Sequence, residues 1–431
     1  MKSLLLQEGG IKGLSKKEQL FYLLTALFFI TFYLPGIPVI NNIAIGLLCL
    51  FCFFYNSLSE KRRLLRQRPA VMVMLLFCIV HTISALVSKN LQEGIVLLQL
   101  RSPLLLFPLS VGLIFISPRL KKQVLLLYSI VTTIAAFICI IYAYLQFRQT
   151  GNAGLLYNDS LSTAIGKQSV YFALLISLAI FSYIYLLLSQ PVIQQHKGWV
   201  YAAICFLFII QFMLASRMEI TFLLATSIGF IMYYFFVRKK KIRQGVTLLA
   251  GLLVAGILLI NFFPKTINRF KEIAYPEYTF SSNAVESHYN GQLTPEQWNG
   301  MNIRLAIWKC GWEIFKQHPV FGVAVGDKQD ALMIMYKEKG FDFAVRTKKN
   351  MHNNYLDLMA SMGITGLLLF LVGYLILPLR SCLKSKDALG ALILTAFMAS
   401  LITEAYIDRS MGCIILAFFV SFITGYRRSG Y

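Results

Sequence analysis

Apolar stretches long enough to cross a membrane recur along this chain, with short polar segments between them. Each stretch holds roughly 16 to 24 mostly apolar residues, and about 20 residues of α-helix span a hydrocarbon core about 30 Å thick. The pattern predicts an all-α, polytopic integral membrane protein with about twelve transmembrane helices. The predicted spans are residues 18–35, 40–58, 70–88, 102–118, 123–146, 166–189, 198–216, 219–237, 245–263, 355–378, 388–404 and 411–426.

One long segment breaks this pattern of short connections. Residues 264–354, called here the polar segment, mix polar and apolar positions and follow the ninth predicted span. The chain therefore divides into residues 1–263 with nine predicted helices, the polar segment, and residues 355–431 with three more.

Two short helices are predicted inside the polar segment. The stretch "NIRLAIWKCGWEIFKQHP" ends at Pro319 and is amphipathic, with a tryptophan-rich face suited to a membrane interface. That face consists of Leu305, Trp308, Trp312 and Phe315. A second helix is predicted after Asp327 as N-cap, with Asp330 three residues on and Gly340 just past its end.

Composition agrees with a membrane protein, and charge gives its orientation. The chain is 57% hydrophobic and only 14% charged, yet its formal net charge is +22. The basic residues cluster in alternate connections such as "EKRRLLRQR" and "RKKKIR". The positive-inside rule makes these connections and both termini cytoplasmic, and it places the polar segment on the outer side of the membrane. The basic excess thus indicates membrane topology and argues against nucleic-acid binding.

Polar side chains cluster where the polar segment meets the tenth span. The stretch "KKNMHNNYLDLMASMGITGLLLF" places His352, Asn353 and Asn354 directly before a long apolar run. Asn354 and Asp357 have the spacing of a capping pair for that helix. Upstream, "HPVFGVAVGD" combines a proline with several glycines.

Taken in order, these motifs resemble one protein family. Twelve spans, one large outer segment between the ninth and tenth, an Arg followed by Trp within it, "HPVFGVAVGD" and "HNNYLDLMASMGITGLL" are similar to the O-antigen ligase and polymerase family of bacterial envelope glycosyltransferases. Gly363 and Gly366 match the family's G-x-x-G helical step, whereas Ala324 replaces the middle glycine of its "P-x-x-G-x-G-x-G" turn.

The resemblance implies transfer of a glycan from an undecaprenyl-diphosphate carrier to an acceptor hydroxyl on the periplasmic face of the bacterial inner membrane, without a cofactor. Such chemistry needs compensation of charge on the leaving diphosphate and a base near the attacking hydroxyl. Arg217, Arg304 and His352 are the predicted catalytic residues, because guanidinium groups bind phosphate oxygens in a fork and a neutral imidazole accepts a proton. The alternative interpretation makes Arg217 an interfacial anchor and His352 a polar lead-in to a capped helix.

A further set of side chains is predicted to bind substrate at the outer ends of the helices. Arg101 would line the same cavity or extend its side chain to the outer interface, and Lys167 and Tyr171 occupy a comparable helix mouth. The full set is Arg101, Lys167, Tyr171, Asn353, Asn354 and Tyr355. The chain has no D-x-D pair, P-loop or dinucleotide fingerprint, so the predicted transferase is metal-independent.

Several functions share these features. Ligation to a lipid A-core acceptor is favoured, because the polar segment is the single dominant outer segment and the connection "RQTGNAGLLYNDSLSTAIGK" is short. Polysaccharide polymerisation and protein O-glycosylation remain alternatives that differ in acceptor. A lipid-linked glycan flippase or other transporter is disfavoured, because the two halves of the chain show no repeat of "HNNYLDLMASMG".

Overall fold

The computed structural model of the protein describes residues 13–282, residue 286 and residues 297–426, and this part of the chain is helical without a β-strand. Eight helical stretches are long and apolar enough to cross a membrane: Pro38–Tyr55, Pro69–Leu86, Leu91–Leu113, Pro118–Thr150, Ser169–Ser189, Arg217–Arg238, Ile242–Leu259 and Asn354–Lys384. Three shorter apolar helices accompany them: Lys197–Met213, Ala388–Thr403 and Ser410–Gly425. The first predicted span corresponds to Lys16–Phe32, which has 17 residues.

The all-α, multi-span class is therefore confirmed. The count of twelve spans and the periplasmic placement of the polar segment stay predictions. The remaining α-helices are short: Leu58–Gln67, Asn158–Leu161, Pro191–Gln195, Pro264–Lys271, Asn302–Gln317, Lys328–Glu338 and Asp342–Thr347.

The fourth span differs from its predicted position at 102–118. The helical stretch begins at Leu91 and runs to Leu113, so Arg101 lies inside it instead of in an outer loop. Its side chain is buried and pairs with Asp357 and Asp408 at 3.3 and 2.7 Å. An arginine at this depth is tolerated because two carboxylates compensate its charge, which hydropathy alone does not reveal.

Those contacts belong to a buried ion cluster, formed by Arg101, Lys328, Asp357 and Asp408. The ammonium of Lys328 lies 2.8 Å from Asp357 and 2.5 Å from Asp408. The two cations and two carboxylates come from the fourth span, the polar segment, the Asn354–Phe370 helix and the Tyr406–Asp408 turn. The cluster therefore fixes the polar segment to the helical bundle.

Both short helices of the polar segment are confirmed, as Asn302–Gln317 and Lys328–Glu338. Gly340 follows the second one with φ +66°, as expected of a residue just past a helix end. Asp327 is the N-cap residue, but its side chain accepts from the backbone N–H groups of Lys89 and Asn90 at 2.9 and 2.7 Å. It therefore joins the polar segment to the third and fourth spans instead of capping its own helix.

The Asn302–Gln317 helix packs into a second hydrophobic core, separate from that of the bundle. Its buried face includes Ile303, Ile307 and Ile314, and Trp298 and Tyr336 fill the same core. The predicted tryptophan-rich face is divided: Trp308 packs against this core, whereas Trp312 is exposed.

The Asn354–Phe370 helix is broken at Gly363, whose φ and ψ are 64° and −163°. The turn at residues 319–324 pairs with the break: Val323 N–H donates to the carbonyl of Ala360 at 2.9 Å, and Ile364 N–H donates to that of Pro319 at 2.8 Å. A Cβ on Gly363 would overlap the backbone of Val320, and one on Gly322 would overlap that of Ser361. The predicted helical step at Gly363 is therefore wrong. This glycine ends one helical segment, and its lack of a side chain lets the backbone of Val320 pack against it.

Candidate active site

Arg217 begins the Arg217–Ile231 helix and points to the segment that follows the ninth span. Its Nη1 donates to the carbonyl of Arg269 at 2.8 Å and lies 3.1 Å from Oε2 of Glu272. Arg269 in turn donates to the carbonyl of Ala215, at 3.0 Å. These reciprocal contacts hold the helix mouth and the start of the polar segment together.

Arg304 occupies the first turn of the Asn302–Gln317 helix. Its Nη1 donates to the carbonyl of Gly300 at 2.5 Å, and its Nε donates to that of Thr403 at 3.2 Å. Nη2 lies 3.9 Å from Oε2 of Glu404. The polar segment thus places this guanidinium against the outer end of the Ala388–Thr403 helix.

The two predicted arginines meet at Gly300. A methyl group built on this glycine would lie 2.9 Å from Nη2 of Arg217 and 3.3 Å from Nη1 of Arg304. It would also lie 2.9 Å from Oε2 of Glu272, which accepts from the Gly300 N–H. Because Gly300 has no side chain, both guanidinium groups approach the same point beside its backbone.

His352 lies directly before the Asn354–Phe370 helix, in a left-handed conformation with φ +46°. Its Nδ1 is 3.2 Å from Oε1 of Glu404, and its side chain is 27% exposed. The carboxylate assigns the proton of a neutral imidazole to Nδ1, because only a protonated nitrogen can donate to it. Nε2 is then left as a proton acceptor.

These contacts form one sequence of neighbours, called here the arginine–histidine chain: Arg217, Glu272, Gly300, Arg304, Glu404 and His352. The structure thus brings together all three predicted catalytic residues, which come from three distant parts of the sequence. Burial raises the pKa of Glu404, but the hydrogen bond from His352 and the charge of Arg304 outweigh it, so the net shift is downward. Glu404 therefore stays a carboxylate between two cationic or polar partners.

Glu272, Arg269 and Glu404 were missed from the sequence. Glu404 lies in "LITEAYIDR", where an acidic residue ends an apolar run at the same predicted depth as His352. Glu272 and Arg269 lie in "INRFKEIAYPE", just after the ninth predicted span. The signal available in the sequence was that all three charged residues lie at the outer end of a predicted span, at the same predicted depth as the candidate catalytic residues. Glu219, by contrast, accepts a hydrogen bond from the Ser400 hydroxyl.

The residues that follow His352 have separate structural roles. Asn353 is the N-cap and accepts from the Leu356 N–H at 3.0 Å, so the expected capping pair of Asn354 and Asp357 is wrong by one position. Asn354 accepts instead from the Ile407 N–H at 3.0 Å, because its buried amide faces the Tyr406–Asp408 turn. The Tyr355 hydroxyl donates to the carbonyl of Met398 at 2.8 Å.

The other predicted binding residues lie outside the arginine–histidine chain. Arg101 belongs to the buried ion cluster. The Tyr171 ring stands edge-on to that of Tyr406 at 4.6 Å, two residues from Glu404, so it borders the site. Lys167 stands over the Phe32 ring at 4.4 Å, and burial lowers its pKa to about 8.

Within the ranges described above, no group of three or more His, Cys, Asp or Glu side chains has the arrangement of a metal site. The charges facing the site come instead from fixed guanidinium groups and from the carboxylates of Glu272 and Glu404. The arrangement can hold a multiply charged anion at Gly300 and accept a proton at His352.

Residues 200–371 match the family model described as O-antigen ligase. A search of curated proteins found no matching relative. The matched residues include Arg217, Glu272, Arg304 and His352, whereas Glu404 lies beyond them. The resemblance to the O-antigen ligase and polymerase family is therefore confirmed.

Proposed function

We propose that this member of the O-antigen ligase and polymerase family transfers a glycan from undecaprenyl diphosphate to a hydroxyl of a lipid A-core acceptor. The family match supports a glycan transferase of the ligase or polymerase type in a multi-pass membrane protein. The donor, the acceptor and the periplasmic side of the inner membrane are parts of the proposal. No metal ion takes part in it.

The observation that carries the proposal is the meeting of two guanidinium groups at Gly300. A diphosphate leaving group gains negative charge as its bond to the anomeric carbon breaks, and preorganised cations stabilise that charge most strongly in a site shielded from water. Arg217 and Arg304 approach one point from different helices. This suits binding of two linked phosphates, because each guanidinium presents a planar fork of N–H donors.

His352 and Glu404 supply the base. The acceptor oxygen attacks the anomeric carbon, the bond from that carbon to the diphosphate oxygen breaks, and the electron pair leaves with the diphosphate. The acceptor's proton passes to Nε2 of His352, while Nδ1–H stays hydrogen-bonded to Glu404 and stabilises the imidazolium. The hydrogen bond from His352 and the charge of Arg304 outweigh the effect of burial on the pKa of Glu404 and keep this carboxylate ionised for the task.

The acceptor distinguishes ligase from polymerase, and a direct assay decides it. Purified protein is given a lipid-linked glycan with one of three acceptors: lipid A-core, a second lipid-linked glycan, or a serine-containing peptide. We expect conjugates with lipid A-core, and loss of them in the Arg304→Ala variant. Exclusive elongation of the lipid-linked glycan would make the protein a polymerase, and absence of product with every acceptor would overturn the transferase proposal.

A further inference from the structure

A large cavity lies at the end of the bundle that is remote from the arginine–histidine chain. Its volume is about 1110 Å³, and it opens between the ends of several helices. Four basic side chains line it, together with aromatic and aliphatic ones that include Phe230 and Tyr234. The basic residues are Lys122, Arg238, Lys239 and Lys386. We refer to it as the basic cavity.

Two helical stretches connect this cavity to the site and show that the two lie on opposite faces. Arg217 begins the stretch that ends at Arg238, and 1.5 Å per residue separates these ends by about 30 Å. Ala388 lines the cavity and begins a second helix, which ends beside Glu404 about 24 Å away. The cavity therefore faces the membrane leaflet opposite to the one that contacts the site.

The basic side chains of the cavity are not neutralised by neighbours. Its one carboxylate, Asp387, is already paired with the buried ammonium of Lys121 at 2.6 Å. Lys122 donates to the carbonyl of Ser189 at 2.7 Å, and Lys239 stands 5.9 Å from the Tyr234 ring centre. No carboxylate in the described part of the chain pairs with Arg238 or Lys386. A net positive charge thus lines a space bounded by apolar rings.

This combination specifies an amphipathic ligand. A free anion would leave the aromatic wall unused, and a neutral lipid would leave the cations without a partner. We propose that the basic cavity binds one anionic phospholipid of the adjacent leaflet, with its phosphate between Arg238, Lys239 and Lys386 and its upper acyl chains against Phe230 and Tyr234. Each interfacial basic residue attracts an anionic headgroup, so three of them together distinguish an anionic from a neutral headgroup.

The proposed lipid would contact the same helices as the site, but at their opposite ends. The cavity is lined by the ends of the Arg217–Arg238 and Asn354–Lys384 stretches, whose other ends carry Arg217 and the residues that follow His352. A lipid seated there would fill the space between helices that carry site residues, without contacting the reacting groups. It is therefore separate from the donor and from the proposed transfer.

The test measures lipid retention by purified protein in a neutral detergent. Native mass spectrometry counts bound phosphatidylglycerol and phosphatidylcholine during titration, and inorganic phosphate and glycerol phosphate serve as headgroup-only probes. The triple variant R238Q/K239Q/K386Q should bind phosphatidylglycerol at least about tenfold more weakly than wild type. The matched control is K240Q/K241Q/R243Q, which removes the same charge from exposed neighbours that do not line the cavity. It should change binding less than about threefold.

A second variant separates the cavity from general electrostatic attraction. Ala388→Trp introduces bulk at the cavity wall and leaves every charge in place, so it should also reduce phosphatidylglycerol binding. Equal losses in the two triple variants, equal retention of phosphatidylcholine, or saturation by phosphate alone would overturn the proposal. Because lipid retention is measured without glycan donor, its failure would leave the proposed transfer untouched.

Discussion

Nδ1 of His352 lies 3.2 Å from Oε1 of Glu404, although 52 positions separate the two residues in the chain. The contact fixes which imidazole nitrogen carries the proton of a neutral ring and connects His352 to Arg304 through the shared carboxylate. His352 and Glu404 should therefore act as a unit in transfer.

Variants of this pair should show that coupling in the turnover rate. His352→Ala should reduce kcat by about 10² to 10⁴ with donor affinity nearly unchanged, because it removes a general base and not a phosphate contact. Glu404→Gln should lower kcat less, and the double variant should be no slower than His352→Ala alone, since residues acting as a unit are not additive. Single-turnover kinetics with lipid-linked glycan provide the measurement. Multiplicative losses in the double variant would show that the two act independently.

The arginine pair should respond to shape as well as to charge. Arg217→Lys keeps the charge and loses the planar fork, so it should impair transfer, and Arg304→Ala should reduce kcat by about 10² to 10³. Gly300→Ala should raise the donor KM, because its Cβ displaces both guanidinium groups without removing them. Lys309→Ala, on the exposed side of the same helix as Arg304, is the control. Full activity of both arginine variants at normal protein levels would mean that the diphosphate binds elsewhere.

The turn that contains Ala324 and the helix break at Gly363, which pair through their backbones, should respond oppositely to two small substitutions. Ala324 has φ +86°, a conformation that suits glycine, so Ala324→Gly should raise the unfolding free energy by about 1 kcal/mol. Gly363→Ala should lower it by at least about 1–2 kcal/mol, because of its positive φ and overlap with the Val320 backbone. Thermal unfolding in detergent measures both, and Gly229→Ala, whose new methyl group meets open space, is the control. A stabilised Gly363→Ala variant would contradict this account.

The free energy of unfolding should depend on the charge balance of the buried ion cluster. Lys328→Met leaves two carboxylates against one guanidinium and should cost about 3–5 kcal/mol, whereas adding Asp408→Asn should recover much of that loss. Burial raises the pKa of Asp408, but Lys328 and Arg101 outweigh it and hold the pKa below its usual value. A carboxylate with a depressed pKa contributes stability above its unfolded pKa of about 3.9 and loses it as the pH falls further.

Wild-type unfolding temperature should accordingly drop below about pH 4, and the double variant should drop less over the same range. A double variant no more stable than Lys328→Met would show that shape, and not charge balance, determines the stability of this cluster.

Lys167 should impose an alkaline limit on donor binding if its ammonium contacts the diphosphate. Its pKa is lowered to about 8 by burial, so the positive charge is present below pH 8 and is lost as the pH rises through that value. Donor affinity should fall severalfold between about pH 7 and 9. Lys167→Arg should remove this dependence, because guanidinium stays charged throughout. An unchanged pH profile in the arginine variant would exclude Lys167 from donor binding.

The local sequence determined the elements of this protein. Long apolar runs become helices because a membrane-spanning backbone must satisfy its own hydrogen bonds, and the amphipathic pattern of "NIRLAIWKCGWEIFKQHP" predicted its helix to within a residue or two. The family resemblance, together with the residue types needed for phosphate binding and proton transfer, selected Arg217, Arg304 and His352 as candidates, and their catalytic roles stay predictions.

Only the tertiary structure decided which of these residues meet. Arg217 and Arg304 approach each other because Gly300 has no side chain, and Glu404 reaches His352 because the polar segment folds back over the Ala388–Thr403 helix. Arg101 was expected near an outer interface but is buried, because the carboxylates of Asp357 and Asp408 lie more than 250 positions away in sequence and beside it in space. Hydropathy and spacing report a residue's own neighbourhood along the chain, whereas charge compensation depends on partners that only folding brings close.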